Sequence, residues 1–282
     1  MEPRQRQFSL WYVLVAVMAI LALQGYLGSL HVDNLAYSDF KILLRAGKIG
    51  EVALASDTIT GTVNVFAAAS LTEAFTTLGT RFEAAHPGVK VVFDFGPSSG
   101  LAEQINQGAP ADVFASASTT NMDQVVSAGG ASNPTPFAEN VMEVATPPSN
   151  PGHVASVSDL ANSSVKVALC QAQVPCGATA QKVFTNAKIT VKPVTEEVDV
   201  KSVLSKVELG EVDAGVVYVT DVRAAGSKVD GVVIPANVNA STTYPIAALT
   251  RSHNAAAAQA FVAYVVSPTG TSVLTAAGFE QP

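Results

Sequence analysis

From Val63 onward the apolar positions fall into two alternating periods. Val63 to Ala69 (VNVFAAA) is a near-continuous apolar run of strand length. Leu71 to Ala85 then places Leu71, Phe75, Leu78 and Phe82 on one face of a helix, which Pro87 and Gly88 end. The alternation repeats as a strand over Val89 to Phe95, a helix over Ser98 to Gln107, a strand over Asp112 to Ala115 and a helix near Thr120 to Ala128. A second series places strands at Val165 to Leu169 and Ala214 to Val219, and helices at Gly177 to Asn186 and Asp199 to Leu209. Thr146 to Gly152 (TPPSNPG) separates the two series and reads as a crossover. Thr242 to Thr250 is strand-like, and Ala255 to Val266 is an Ala-rich helix. Alternating strands and helices predict an α/β protein with parallel sheets covered on both faces. The pattern divides into one lobe over 63–145, a second over 146–240, and a return to the first over 241–282.

The start of the chain follows a different rule. Ser9 to Leu30 (SLWYVLVAVMAILALQGYLGSL) carries no charge and is long enough to cross the hydrocarbon of a bilayer as a helix. Arg4 and Arg6 precede it, which favours a cytoplasmic N-terminus, and Trp11 and Tyr12 stand at the near interface. Residues 1–30 therefore read as a cytoplasmic tip and an uncleaved anchor; a cleaved signal peptide is the rival reading. No cysteine follows the run, so a lipid-anchored cysteine is excluded. Residues 31–62 read as a helix over Ser38 to Ala46 and strands over Glu51 to Leu54 and Thr58 to Thr62, too little chain for a core of its own.

Composition narrows the chemistry. A net charge of -7 argues against a nucleic-acid partner, which would select a basic face. Four scattered histidines and two cysteines outside any CxxC spacing indicate no zinc site and no side-chain metal site. No GxSxG or His–Asp arrangement points to a hydrolase. What remains is four short segments: AAASL (Ala67 to Leu71), GPSSGL (Gly96 to Leu101), VPCG (Val174 to Gly177) and VDVKSV (Val198 to Val203). Each lies where a strand hands over to a helix. A helix N-terminus leaves backbone N–H groups unpaired and carries about half a positive charge. Four of them converging on one cleft make an anion site that needs no cation. Taken singly, Ser70 and Ser98 are equally good helix caps, and Tyr218 equally a core residue.

Residues 63–282 resemble the periplasmic molybdate-binding proteins of ABC transporters, the ModA family. The likeness rests on VFAAASLTEAF (Val65 to Phe75), SSGLAEQINQGAPADVFASA (Ser98 to Ala117), NMDQVV (Asn121 to Val126), VPCG, EVDVKSVLSKVELGEVDAGVVYVTD (Glu197 to Asp221) and TYPIAALT (Thr243 to Thr250). The resemblance implies a two-lobe clamshell of the type II periplasmic binding class, hinged near 144–148 and 238–243, that closes on molybdate or tungstate. It implies a binding protein rather than an enzyme, with no cofactor and with an ABC permease as partner. It carries the ligand positions onto Ser70, Ser98, the backbone of Cys176 and of Val200, and the Tyr218 hydroxyl, with Ser99 as an additional candidate. Pro97 and Cys176 depart from the family's serine and alanine there. In the oxidising compartment this implies, Cys170 and Cys176 are either two small buried residues or a disulfide that rigidifies the third loop.

Residues 1–62 resemble something else, the anchor and start of the extracytoplasmic domain of FtsH-type membrane AAA metalloproteases, through FSLWYVLVAVMAILAL and LAYSDFKILLRAGKIGEVALASDTITGT. The chain holds neither GxxxxGK[ST] nor HExxH, so that family's ATPase and protease activities do not come with the resemblance.

Overall fold

The computed structural model describes residues 61–282. The anticipated membrane span and the elements at 38–46 and 51–54 lie outside the described residues. Gly61 and Thr62 open the first strand of the main body.

Strand β1 (Gly61–Ala68) lies between two parallel neighbours, β2 (Val89–Gly96) and β3 (Val113–Ala115). Helices α1 (Thr72–Ala85), α2 (Ser98–Asn106) and α3 (Thr119–Ser127) connect and cover them. The apolar stripe of α1 behaves as its spacing demands: Leu71, Phe75, Leu78 and Phe82 are all fully buried. Phe75 sits among the rings of Phe93, Phe137 and Phe261, with centroids 5.8 to 6.2 Å away. The second half holds β5 (Val167–Cys170), parallel to both β6 (Thr195–Glu197) and β7 (Ala214–Tyr218), with helices α4 (Pro175–Ala187), α5 (Val200–Glu208) and α6 (Val219–Ala225).

Two long strands join the halves. β4 (Thr135–Thr146) pairs with β9 (Ser241–Ala248) from Thr135 to Val141, then with β7 and with β8 (Asp230–Val233) from Met142 onward. The complete order is β2-β1-β3-β9-β4-β7-β5-β6, with β8 on β4. α7 (Ala255–Val265) and α8 (Pro268–Ala277) pack back against the first half.

The parallel sheet expected from the alternation holds for β1–β3 and β5–β7, and the sheet as a whole is mixed. β4 leaves the first half and β9 returns to it, so the two run antiparallel, and each is antiparallel to its other neighbours. The chain also crosses earlier than the Pro-rich stretch at 146–152. β4 escaped the pattern analysis because polar Glu139, Asn140 and Glu143 interrupt its apolar positions. The short β6 and β8, and helices α6 and α8, were not anticipated either.

Candidate functional site

The strand ends of both halves meet at one small cavity. It is lined by Ala68, Ala69, Ser70, Gly96, Pro97, Ser98, Ala117, Val174, Pro175, Cys176, Asp199, Val200 and Tyr218. All four opening segments contribute, and Ala117 and Tyr218 complete the wall. The cavity measures about 20 Å³ by the space open to a water's centre, where about 10–15 Å³ suffices for one water. It suits a compact group. The lining has no Lys or Arg.

Three of the four helix ends are uncapped. Ala68, Pro97 and Val174 precede the turn at Ala69–Leu71 and helices α2 and α4, and none offers a side-chain acceptor. Pro175 at the first turn of α4 has no N–H to satisfy and fixes the helical φ. Away from the cavity, Ser118 before α3 and Ser267 before α8 cap their helices with a side-chain oxygen, whereas Asn254 before α7 does not. Asp199 caps α5 by accepting the Ser202 N–H at 2.8 Å, which leaves the N–H groups of Val200 and Lys201 without an intrahelical acceptor. A buried helix end without a cap needs some other acceptor.

The hydroxyls tell the same story. Ser98 is 1 % exposed, and its Oγ accepts the Ala117 N–H at 3.0 Å, so its proton is free for another acceptor. Ser70 does not cap a helix; its Oγ lies 2.8 Å from the Tyr244 hydroxyl. Tyr218 is 1 % exposed, and its hydroxyl has no hydrogen-bond partner among the described residues. Burial pushes the Tyr218 phenol well above its ordinary pKa, so it stays a donor. Of the sequence-derived set, Ser70, Ser98, Cys176, Val200 and Tyr218 come together around the cavity; Ser99 is half-buried and stands outside the lining.

Cys170 and Cys176 are joined by a disulfide at the start of α4. Gly177 lies inside the same turn, where a Cβ would overlap the Gln171 carbonyl and stand 2.7 Å from that of Cys170. The helix end thus packs directly on the loop the disulfide closes. So short a closed loop contributes about 2 kcal/mol in the chain-entropy account. Replacing both cysteines by alanine should lower unfolding stability by about that amount, measured by urea denaturation, and should weaken anion binding through the loosened Cys176 N–H. Unchanged stability and affinity would make the bond a bystander.

A second network lies behind the cavity wall. The Lys201 ammonium, next in chain to Val200, donates to both Glu73 carboxylate oxygens at 2.9 Å and lies 3.1 Å from Asp221 Oδ1. Asp221 Oδ2 accepts the Tyr218 N–H at 3.0 Å. Glu73 belongs to the first half, and Lys201 and Asp221 to the second. Burial raises the fully buried Asp221 carboxyl to a pKa of about 6, with Lys201 pulling the other way. Burial also works to lower the Lys201 amine, but Asp221 and Glu73 outweigh it and leave it raised. Sequence reasoning missed this triad, although Lys201 and Asp221 both stand inside the motifs that carry the site.

A cleft between two α/β halves joined by crossover strands and walled by buried donors is the architecture of a solute-binding protein. The family profile of bacterial extracellular solute-binding proteins matches residues 63–280. The molybdate-binding protein ModA of Mycobacterium tuberculosis (strain H37Rv) is 44% identical over 219 residues, covering 77% of this chain and 84% of that one. The structure of the Azotobacter vinelandii periplasmic molybdate-binding protein shares the fold, with a TM-score of 0.70 at 22% identity over 78% of this chain and 99% of that one. The chain belongs to the ModA family of bacterial extracellular solute-binding proteins, and it is not an enzyme. A separate match of 62 residues, 58% identical, joins 22% of this chain to 9% of the ATP-dependent zinc metalloprotease FtsH of Ralstonia pickettii.

Proposed function

We propose that this protein is the extracytoplasmic receptor of an ABC importer and binds molybdate or tungstate in the cavity between its halves. The observation that carries the reading is the buried Tyr218 hydroxyl, left without a partner at a wall made of uncapped helix ends. A tetrahedral metal oxyanion has four acceptor oxygens and no donor. The Ser70, Ser98 and Tyr218 hydroxyls, with the backbone N–H groups of Cys176 and Val200, supply donors only. Each such charge-assisted bond contributes about 1.5–3 kcal/mol. Sulfate is smaller and would leave donors under-satisfied, while molybdate and tungstate are nearly the same size.

In this reading residues 63–145 and 241–282 form one lobe and 146–240 the other, closing about the crossover strands near 144–148 and 238–243. The run Ser9 to Leu30 tethers the receptor to the membrane beside its permease. The FtsH-like match supports a second reading, in which residues 1–62 dock the chain on a membrane protease. Isothermal calorimetry of the full chain in detergent against molybdate, tungstate, sulfate and phosphate separates them. The receptor reading expects tight binding of the first two and silence from the others. No heat from any of the four sinks it and favours the docking module.

A further inference from the structure

We propose that the Glu73–Lys201 ion pair is a latch that fastens the two halves together over the bound anion and sets how long the anion stays. This rests on the receptor reading and adds to it a residue, Glu73, that does not line the anion cavity. Glu73 stands in the first turn of α1, three residues after Ser70, and Lys201 follows Val200 at the start of α5. The pair therefore ties together two strand-to-helix junctions that wall the cavity from opposite halves. Both Glu73 carboxylate oxygens lie 2.9 Å from the Lys201 ammonium, which can only donate. Among the described residues, every other ion pair lies within one half.

Most exposed ion pairs contribute little, because two long side chains must be ordered for one contact in water. Here half of that ordering is done beforehand. The buried Asp221, on the same half as Lys201, holds its ammonium at 3.1 Å, so the Lys201 side chain is 23 % exposed against 53 % for Glu73. Lys201 keeps Asp221 when the halves part, whereas Glu73 meets Lys201 only when they close. The contact stabilises the closed arrangement and not the open one, and such a contact shifts the equilibrium between them. An anion enters and leaves through the open form, so the latch acts on release and not on entry. The charge of Glu73 acting directly on the anion would have the opposite sign: a carboxylate repels an anion, and neutralising it would slow release.

The test is the release of radiolabelled molybdate from the full chain in detergent, chased with excess unlabelled molybdate, with the affinity taken from calorimetry. Glu73→Gln should release molybdate about two- to fivefold faster, the range of a well-held surface pair, at an unchanged association rate. Added NaCl should speed release from the wild type toward the E73Q rate and change E73Q little, because screening weakens the pair and E73Q has none. Glu73→Lys sets a like charge against Lys201 and should release faster than E73Q. Release from E73Q at the wild-type rate or slower overturns the latch, and so does an affinity loss carried by slower association alone. Melting curves of the ligand-free proteins check that each variant folds; should E73K not fold, E73Q and its salt series carry the same outcomes. A wild type that retains no molybdate overturns the receptor reading and the latch with it. Tight wild-type binding with unaltered release from E73Q overturns the latch alone.

Discussion

Replacing Lys201 by methionine is expected to destabilise the protein by about 3–5 kcal/mol at pH 8 and by far less at pH 5. The reason is the carboxylate it faces. Asp221 is fully buried, and the Lys201 ammonium at 3.1 Å is its counter-charge. Methionine keeps much of the aliphatic stem and removes the charge, leaving a buried anion uncompensated. The pH dependence follows from the sign of the shift. Burial holds the folded Asp221 pKa at about 6, above its ordinary 3.8. Between those values the folded state binds more protons than the unfolded one, so this group's contribution falls as pH rises from about 4 to about 6. Without Lys201 the folded pKa moves higher still, and the fall continues past pH 6. At pH 5 both proteins carry a neutral Asp221 and differ mainly by the half-exposed Glu73 pair, worth about 0–1 kcal/mol. Urea denaturation of both proteins at pH 5, 6.5 and 8 measures the opening gap. An equal loss at all three values would mean that Lys201 contributes packing and not charge compensation. Anion affinity should fall with stability at pH 8, because Asp221 holds the Tyr218 N–H.

That network shows where the sequence was legible and where it was not. The strand-to-helix segments were legible because each stands where an apolar strand run gives way to a helical period, and all four line the cavity. The period of α1 was equally plain, since its stripe packs against a single apolar face. β4 was hidden because two of its polar side chains are satisfied by distant partners, Asn140 by Thr220 and Glu139 by Thr243. No local pattern announces a partner 80 residues away. Lys201 and Asp221 were passed over for the same reason. Charges beside a helix start are usually solvated, and here only the packing of α6 on α5 brings the buried Asp221 to the half-buried Lys201. The antiparallel crossover strands are likewise a property of the two halves together, whereas alternation of elements reports only on neighbours in sequence.

Tyr218→Phe is expected to weaken molybdate binding by about 10- to 100-fold while leaving the ligand-free protein as stable as before or about 1 kcal/mol more stable. The two effects have one cause. The phenol oxygen is buried without a partner, so the empty site carries its desolvation cost. An anion in the cavity would supply the missing acceptor, and the same oxygen then becomes a contributor to affinity. Phenylalanine removes the cost and the contribution together, and it keeps the ring that packs 6.3 Å from Tyr244. Because burial keeps the phenol protonated well past neutrality, its titration should impose no pH dependence on the loss. Calorimetry with molybdate and thermal unfolding without it give both halves of the test on one pair of proteins. A variant that bound as tightly as wild type would remove Tyr218 from the ligand set. One that lost stability without ligand would show that its hydroxyl is satisfied in the empty protein. Weaker binding joined to undiminished stability is the signature of a residue kept for its ligand, since no contact inside the fold repays burying that oxygen.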